Sequence, residues 1–136
     1  MLMNKSIIFV MILALSNTAF AENNAPTIEL KGVENGKTYQ SPIKLKFIVE
    51  NIKVRKAGIK EDNSGHHHIL LDLDELPDLK SPLPMTENII HFGKGQTSVS
   101  LELKSGKHTI QLLFADYSHT PHKVPLMTKK ITFYIK

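Results

Sequence analysis

The 136-residue chain contains no cysteine and no tryptophan, and aromatic residues make up only 7% of it. Without cysteine there is no disulfide framework, no thiolate ligand and no lipid attachment at a cysteine behind a leader. Without tryptophan and with few other rings, a sandwich that binds sugars by stacking on their faces has little to build with. No apolar run is long enough to span a bilayer. The longest, Ile7 to Leu15, falls short of the roughly 20 residues required, and no positive stop-transfer cluster follows it. Sustained helical spacing bounded by caps is missing as well, which leaves little room for an α-helical fold.

What the chain does have begins with an export signature. A single basic residue, Lys5, precedes the apolar run, and Ala19-Phe20-Ala21 supplies a small-residue cleavage pattern. Residues 1–21 therefore read as a cleaved signal peptide, with 22–136 as one domain in the periplasm or outside the cell and no membrane span after cleavage. A retained anchor is the rival, against which the short apolar run counts. Of 17 Lys and Arg residues, 16 remain once Lys5 is removed, against 13 Asp and Glu. They are dispersed along the chain, and an exported domain without a basic stripe is not a nucleic-acid binder. The mature length is enough to bury a core without staples.

Period-two alternation recurs throughout. A strand is expected at Thr27–Lys31, and a clear one at Ile43–Glu50, with Ile43, Leu45, Phe47 and Val49 on one face. Further strands are expected from His66 to about Leu73, at Asn88–Phe92, at Thr97–Lys104, at Lys107–Asp116 and from about Thr128 to Ile135. The Pro-rich stretch Leu76–Pro84 reads as a surface loop, Ser105-Gly106 as a hairpin turn and Tyr117–Pro125 as a loop. Seven to eight short strands in about a hundred residues fit an all-β fold, an immunoglobulin-like antiparallel β-sandwich. The Cys…Trp…Cys signature of true immunoglobulin domains is absent, so the architecture rests on pattern, with a small barrel as the alternative.

Six of the seven histidines fall in three groups: His66-His67-His68, His91, and the pair His119 and His122; His108 stands apart. In a simple up-and-down order the three groups share one end of the sandwich, while His108 lies at the other, beside the hairpin turn. On a strand, His66 and His68 face the same way about 6.6 Å apart, within reach of one ion at roughly 2.0–2.1 Å. His67 shares its face with Ile69 and Leu71, so it points to the core, where it donates to a backbone carbonyl or supports a neighbouring ligand. Pro121 stiffens a bend that can turn His119 and His122 toward one point. The candidate metal ligands are thus His66, His68, His91, His119 and His122, with His67 and Asp116 behind them. Four or five imidazoles and no thiolate suit copper first and zinc second. Met85 and Met127 offer thioethers, although methionine usually fills cores. Glu61 and Asp62 lie near the same end and offer carboxylates. Gly93-Lys94-Gly95 lacks the spacing and following helix of a phosphate loop.

These histidines also carry a resemblance. Gly65-His66-His67-His68-Ile69-Leu70-Leu71-Asp72, His91-Phe92-Gly93-Lys94-Gly95-Gln96-Thr97, Gly106-Lys107-His108-Thr109-Ile110-Gln111-Leu112, and Asp116 with His119-Thr120-Pro121-His122 occur in that order. Together they resemble the domain of unknown function family 4399. The resemblance implies an exported bacterial domain with no assigned activity, and its motifs include His67 and His108, two positions that strand parity treats as structural.

The sequence therefore points to an exported metal-binding protein. Two other classes compete with it. One is a structural or interaction module of the cell envelope, with an envelope protein as partner and the histidines as a hydrogen-bonded loop scaffold. The other is a metal-dependent hydrolase with Glu61 or Glu87 as base, although no substrate cleft or catalytic signature is visible.

Overall fold

Strand alternation becomes two packed sheets. The computed structural model describes residues 24–136, so the expected signal peptide lies outside the described residues. Strand β3 (Ile43–Glu50) buries Ile43, Leu45 and Phe47 and turns Lys44 and Lys46 to solvent. It pairs antiparallel with β1 (Thr27–Lys31) and with β7 (Ser98–Leu101), making a three-stranded sheet. The larger sheet runs in the order β2 (Thr38–Tyr39), β10 (Ile131–Ile135), β8 (Gly106–Ala115), β5 (Ser64–Leu71), β4 (Lys53–Val54). Two more strands lie off that path, β6 (Ile89–His91) on β5 and β9 (Pro121–Met127) on β8.

The main core fills the space between the sheets, with Leu30, Leu45 and Phe47 meeting Ile69, Ile110, Leu112 and Phe133. Each fully buried side chain of this kind contributes roughly 1.5–3 kcal/mol. A smaller core lies on the outer face of the large sheet, where Leu70, Leu113, Ala115 and Ile89 are covered by Leu83 and Leu79 of the Pro-rich segment. That segment is a strap, not an idle loop. It covers Leu70 and Leu113, and Ser64 to Leu70 of β5 and the last six residues of β8 are buried.

The all-β sandwich is as expected, and several of its details are corrected. The described residues form ten strands where seven to eight were expected, because two-residue β2 and β4 carry too little pattern to register in a sequence. Each pairs in parallel, β2 with β10 and β4 with β5, so the large sheet is mixed. The loop expected over 117–125 contains β9, whose Pro121 and Pro125 are tolerated on a strand that lies off the main path of the sheet. Ser105-Gly106 does not close a hairpin: β7 pairs with β3 and β8 with β5 and β10, so the chain crosses between sheets there. Half-buried Val99 and Leu101 of β7 pack against the same main core as Ile110 and Leu112 of β8.

At the foot of the sandwich, His108 ties three segments together. Its Nδ1 lies 2.8 Å from Asp72 Oδ2 and its Nε2 2.7 Å from the Lys104 carbonyl, while Asp72 Oδ1 accepts from the Thr109 amide at 2.8 Å. Both ring partners are acceptors, which suits a ring donating from both nitrogens. Burial alone would lower the His108 pKa, but the Lys104 carbonyl and Asp72 together raise it above its ordinary value. A raised pKa in the folded state means stability present in full below about pH 6.5 and lost as pH rises through the folded value. His108→Gln should therefore cost more stability at pH 6 than at pH 8.5, measured by denaturant unfolding. An equal cost at both pH values would contradict this.

Candidate metal centre

The two-residue period of β5 sends His66 and His68 to the outer face and His67 to the inner one. All three are buried, at 0%, 0% and 1% exposure. Gly65 makes this approach possible, since a Cβ there would stand 2.1 Å from the Ala115 carbonyl oxygen on β8.

Pairing of β6 with β5 then sets His91 directly opposite His68. Their rings are nearly parallel, 8° apart, with centroids at 4.9 Å. His91 Nε2 comes within 2.9 Å of His66 Nε2, a contact in which one nitrogen donates and the other accepts. A Cβ on Gly93 would lie 3.0 Å from the His91 ring, so the glycine two residues downstream leaves that ring its space. His119 arrives from the loop between β8 and β9. Its ring centroid stands 4.2 Å from His91, 5.0 Å from His66 and 5.9 Å from His68. Four imidazoles thus meet on the outer face of the sheet. One ring nitrogen from each of His66, His68 and His91 lies within 4.8 Å of the others, and these three histidines could hold a metal ion.

The chemistry of the group fits an ion. His66 Nδ1 and both ring nitrogens of His68 are buried without a hydrogen-bond partner. Each unmade bond of this kind costs about 1–3 kcal/mol, and an ion accepting the lone pair of His68 would relieve one of them. Burial, reinforced by neighbouring imidazoles, lowers His66 to about 4 and His68 to about 3. Burial followed by the proximity of His119 lowers His91 as well. The rings are therefore neutral near pH 7, the state in which imidazole donates a lone pair to a metal.

Not every expected residue joins the group. Pro121 pairs with Ala115 at the start of β9, and alternation turns His122 to the inner face, where it stacks on Phe114 at 6.0 Å. The bend that was expected to aim His119 and His122 at one point instead separates them. His67 faces the core as parity required, wedged between Phe47 at 5.1 Å and Phe114 at 5.0 Å. The backbone hydrogen bond expected of it is not formed, and burial lowers its pKa to about 4. Asp116 lies in the loop carrying His119. Burial would raise its carboxyl, but hydrogen bonds from Ser118 and Thr120 prevail and lower it. Glu61 is held by Lys53 and Arg55, Met127 packs in the outer core, and Met85 is exposed.

Two contributors escaped the sequence reading. Gly93 stands in the sequence only within Gly93-Lys94-Gly95, and its place two residues after His91 is the available signal. The Leu83 amide, which donates to the His119 carbonyl at 2.9 Å, had none.

Fold and site together define a β-sandwich domain bearing a buried imidazole cluster on one sheet face. The chain matches the family model described as Domain of unknown function (DUF4399) over residues 45–136, and it belongs to that family. No curated protein and no solved structure matches it. Among the described residues, no helix is long and apolar enough to cross a membrane.

Two outcomes follow for the metal-free protein. A folded-state pKa below the unfolded one gives stability that is present above about pH 6.5 and lost as pH falls toward the folded values, because the unfolded chain binds more protons. The melting temperature should therefore drop steadily from pH 7 to pH 5; a flat profile would contradict the buried, neutral rings. His67→Leu should stabilise the domain by about 1–3 kcal/mol in denaturant unfolding, since it removes two unpaired buried nitrogens from an apolar site.

Proposed function

We propose that the protein is an exported metal-binding protein, with copper as its first ion and zinc as its second. The observation that carries this reading is the convergence of His66, His68 and His91, with His66 Nδ1 and both ring nitrogens of His68 buried and unpartnered. His119 is the fourth ligand in this account, completing an all-imidazole set. Among divalent first-row metals, affinity for such a donor set peaks at Cu(II), and zinc accepts the same ligands. Location supports the order. The leader-like residues 1–21 and the absence of cysteine suit a periplasmic or secreted compartment, away from the thiols that compete for copper in the cytosol.

The burial gradient suggests how the ion enters. His66 and His68 are closed off at the sheet surface, whereas His91 and His119 are only half-buried. An ion arriving from solvent meets those two first and is then drawn onto the strand-fixed pair. Whatever hands the ion over, including an envelope protein, would dock on that side.

Titration of tag-free protein with Cu(II) and Zn(II) tests the proposal, with uptake of one ion per chain expected near neutral pH. His68→Ala should abolish tight binding, while His108→Ala and His122→Ala should leave it. A bound ion should also raise the melting temperature, by the equivalent of about 2.7 kcal/mol at a free-ion concentration 100 times Kd. A folded domain that takes up no ion, or one whose binding survives His68→Ala, would contradict the assignment.

A further inference from the structure

His119 occupies an unusual backbone position for its type. Its φ is 67°, in the left-handed region where turns ordinarily place glycine or asparagine. A histidine persists there only if the surroundings hold it, and such positions gather where a side chain must be aimed.

The holding is visible. A single oxygen, Asp116 Oδ1, accepts from the Ser118 amide at 2.8 Å, the Ser118 hydroxyl at 2.7 Å and the Thr120 amide at 3.0 Å. The Asp116 main chain closes the same loop. Its carbonyl accepts from the His119 amide at 3.0 Å, and its amide donates to the Thr120 carbonyl at 2.9 Å. On the far side, the Leu83 amide of the strap donates to the His119 carbonyl. Asp116 follows directly on β8, so the clamp is anchored to a strand buried on both faces. Every residue from Ser118 to Thr120 is thereby tied to Asp116 or to the strap. The side chain left unbonded by this arrangement is the imidazole of His119, which faces His91 and His66.

We propose that Asp116 is a positioning residue for the metal centre, its Oδ1 folding residues 118–120 into the turn that presents the His119 imidazole as the fourth ligand beside His66, His68 and His91. This inference rests on the metal-binding reading. It adds that the fourth ligand is set by a carboxylate that does not itself touch the ion, and that three of the ligands are strand-borne and one is clamp-borne. The carboxylate acts through the conformation of the loop, and its acceptor geometry matters more than its charge.

The test compares Asp116→Ala, Asp116→Asn and His119→Ala by Cu(II) affinity and by the electron paramagnetic resonance spectrum of the Cu(II)-loaded protein. Asp116→Ala should weaken binding 10–100-fold, the usual loss on removing a group that orients a ligand. Its spectrum should match that of His119→Ala, with one imidazole fewer than wild type. Asparagine keeps an oxygen at the accepting position, so Asp116→Asn should recover the wild-type spectrum and most of the affinity. In a His119→Ala background, Asp116→Ala should cause no further loss. Should Asp116→Ala not fold, Ser118→Ala removes one of the three bonds and should give a smaller loss in the same direction, again absent without His119. Wild-type affinity and spectrum in a folded Asp116→Ala, or losses that add to those of His119→Ala, would overturn the inference while leaving the metal reading intact. Wild-type protein that binds no copper would overturn both.

Discussion

Three consecutive histidines lie in a strand buried on both faces, and the rest of the structure is arranged around that burden. A strand so placed is normally a continuous apolar run, because each unpaired polar atom inside it costs stability. Here Ile69 and Leu70, and Leu112 to Ala115 of β8, are apolar, as expected, while the top of β5 carries five ring nitrogens without partners across His66, His67 and His68. The Pro-rich strap covers the outer face at Leu70 and Leu113. Without Leu79 and Leu83 over Leu70 and Leu113, that face would stand open to water. The strap also reaches the site itself through the Leu83 amide, so the cover over Leu70 and Leu113 also holds the turn that carries His119.

Division of labour follows from the architecture. Strand pairing fixes His66, His68 and His91 by register, a rigid arrangement needing no local support beyond the space left by Gly65 and Gly93. His119 comes from a loop, which needs a clamp to do what a strand does by pairing. The opposite end has the contrasting case. His108 lies between two acceptors and is fully bonded, with its pKa raised where those of His66, His67 and His68 are lowered. Residue type alone does not distinguish a structural imidazole from one with a free lone pair. The partners do.

Much of this was legible in the sequence, for a definite reason. Alternation in Ile43–Glu50 and the apolar run of β8 specify strands because a two-residue period leaves one consistent face to bury. The same parity separated His67 from His66 and His68 correctly. What it could not give was pairing partners. Val99 and Leu101 alternate as well in a crossing strand as in a hairpin, so Ser105-Gly106 was misread. The two-residue strands β2 and β4 show no period at all. Parity also fails at a boundary placed wrongly. With 117–125 read as a loop, His119 and His122 seemed free to turn together, whereas β9 begins at Pro121 and sends His122 to the other face. Gly93 could have been found from its spacing to His91. The strap's amide bond to His119 depends on tertiary packing and left no local trace.

The proposed function turns on whether the outer-face imidazoles of β5 and β6 hold a metal ion. An anomalous difference map, collected at the copper edge from crystals of the folded protein grown with Cu(II), tests it most directly. The account expects one strong peak among the ring nitrogens of His66, His68 and His91, with His119 turned toward it. A map with no peak there, or with its peak at His108 or His122, would contradict the account.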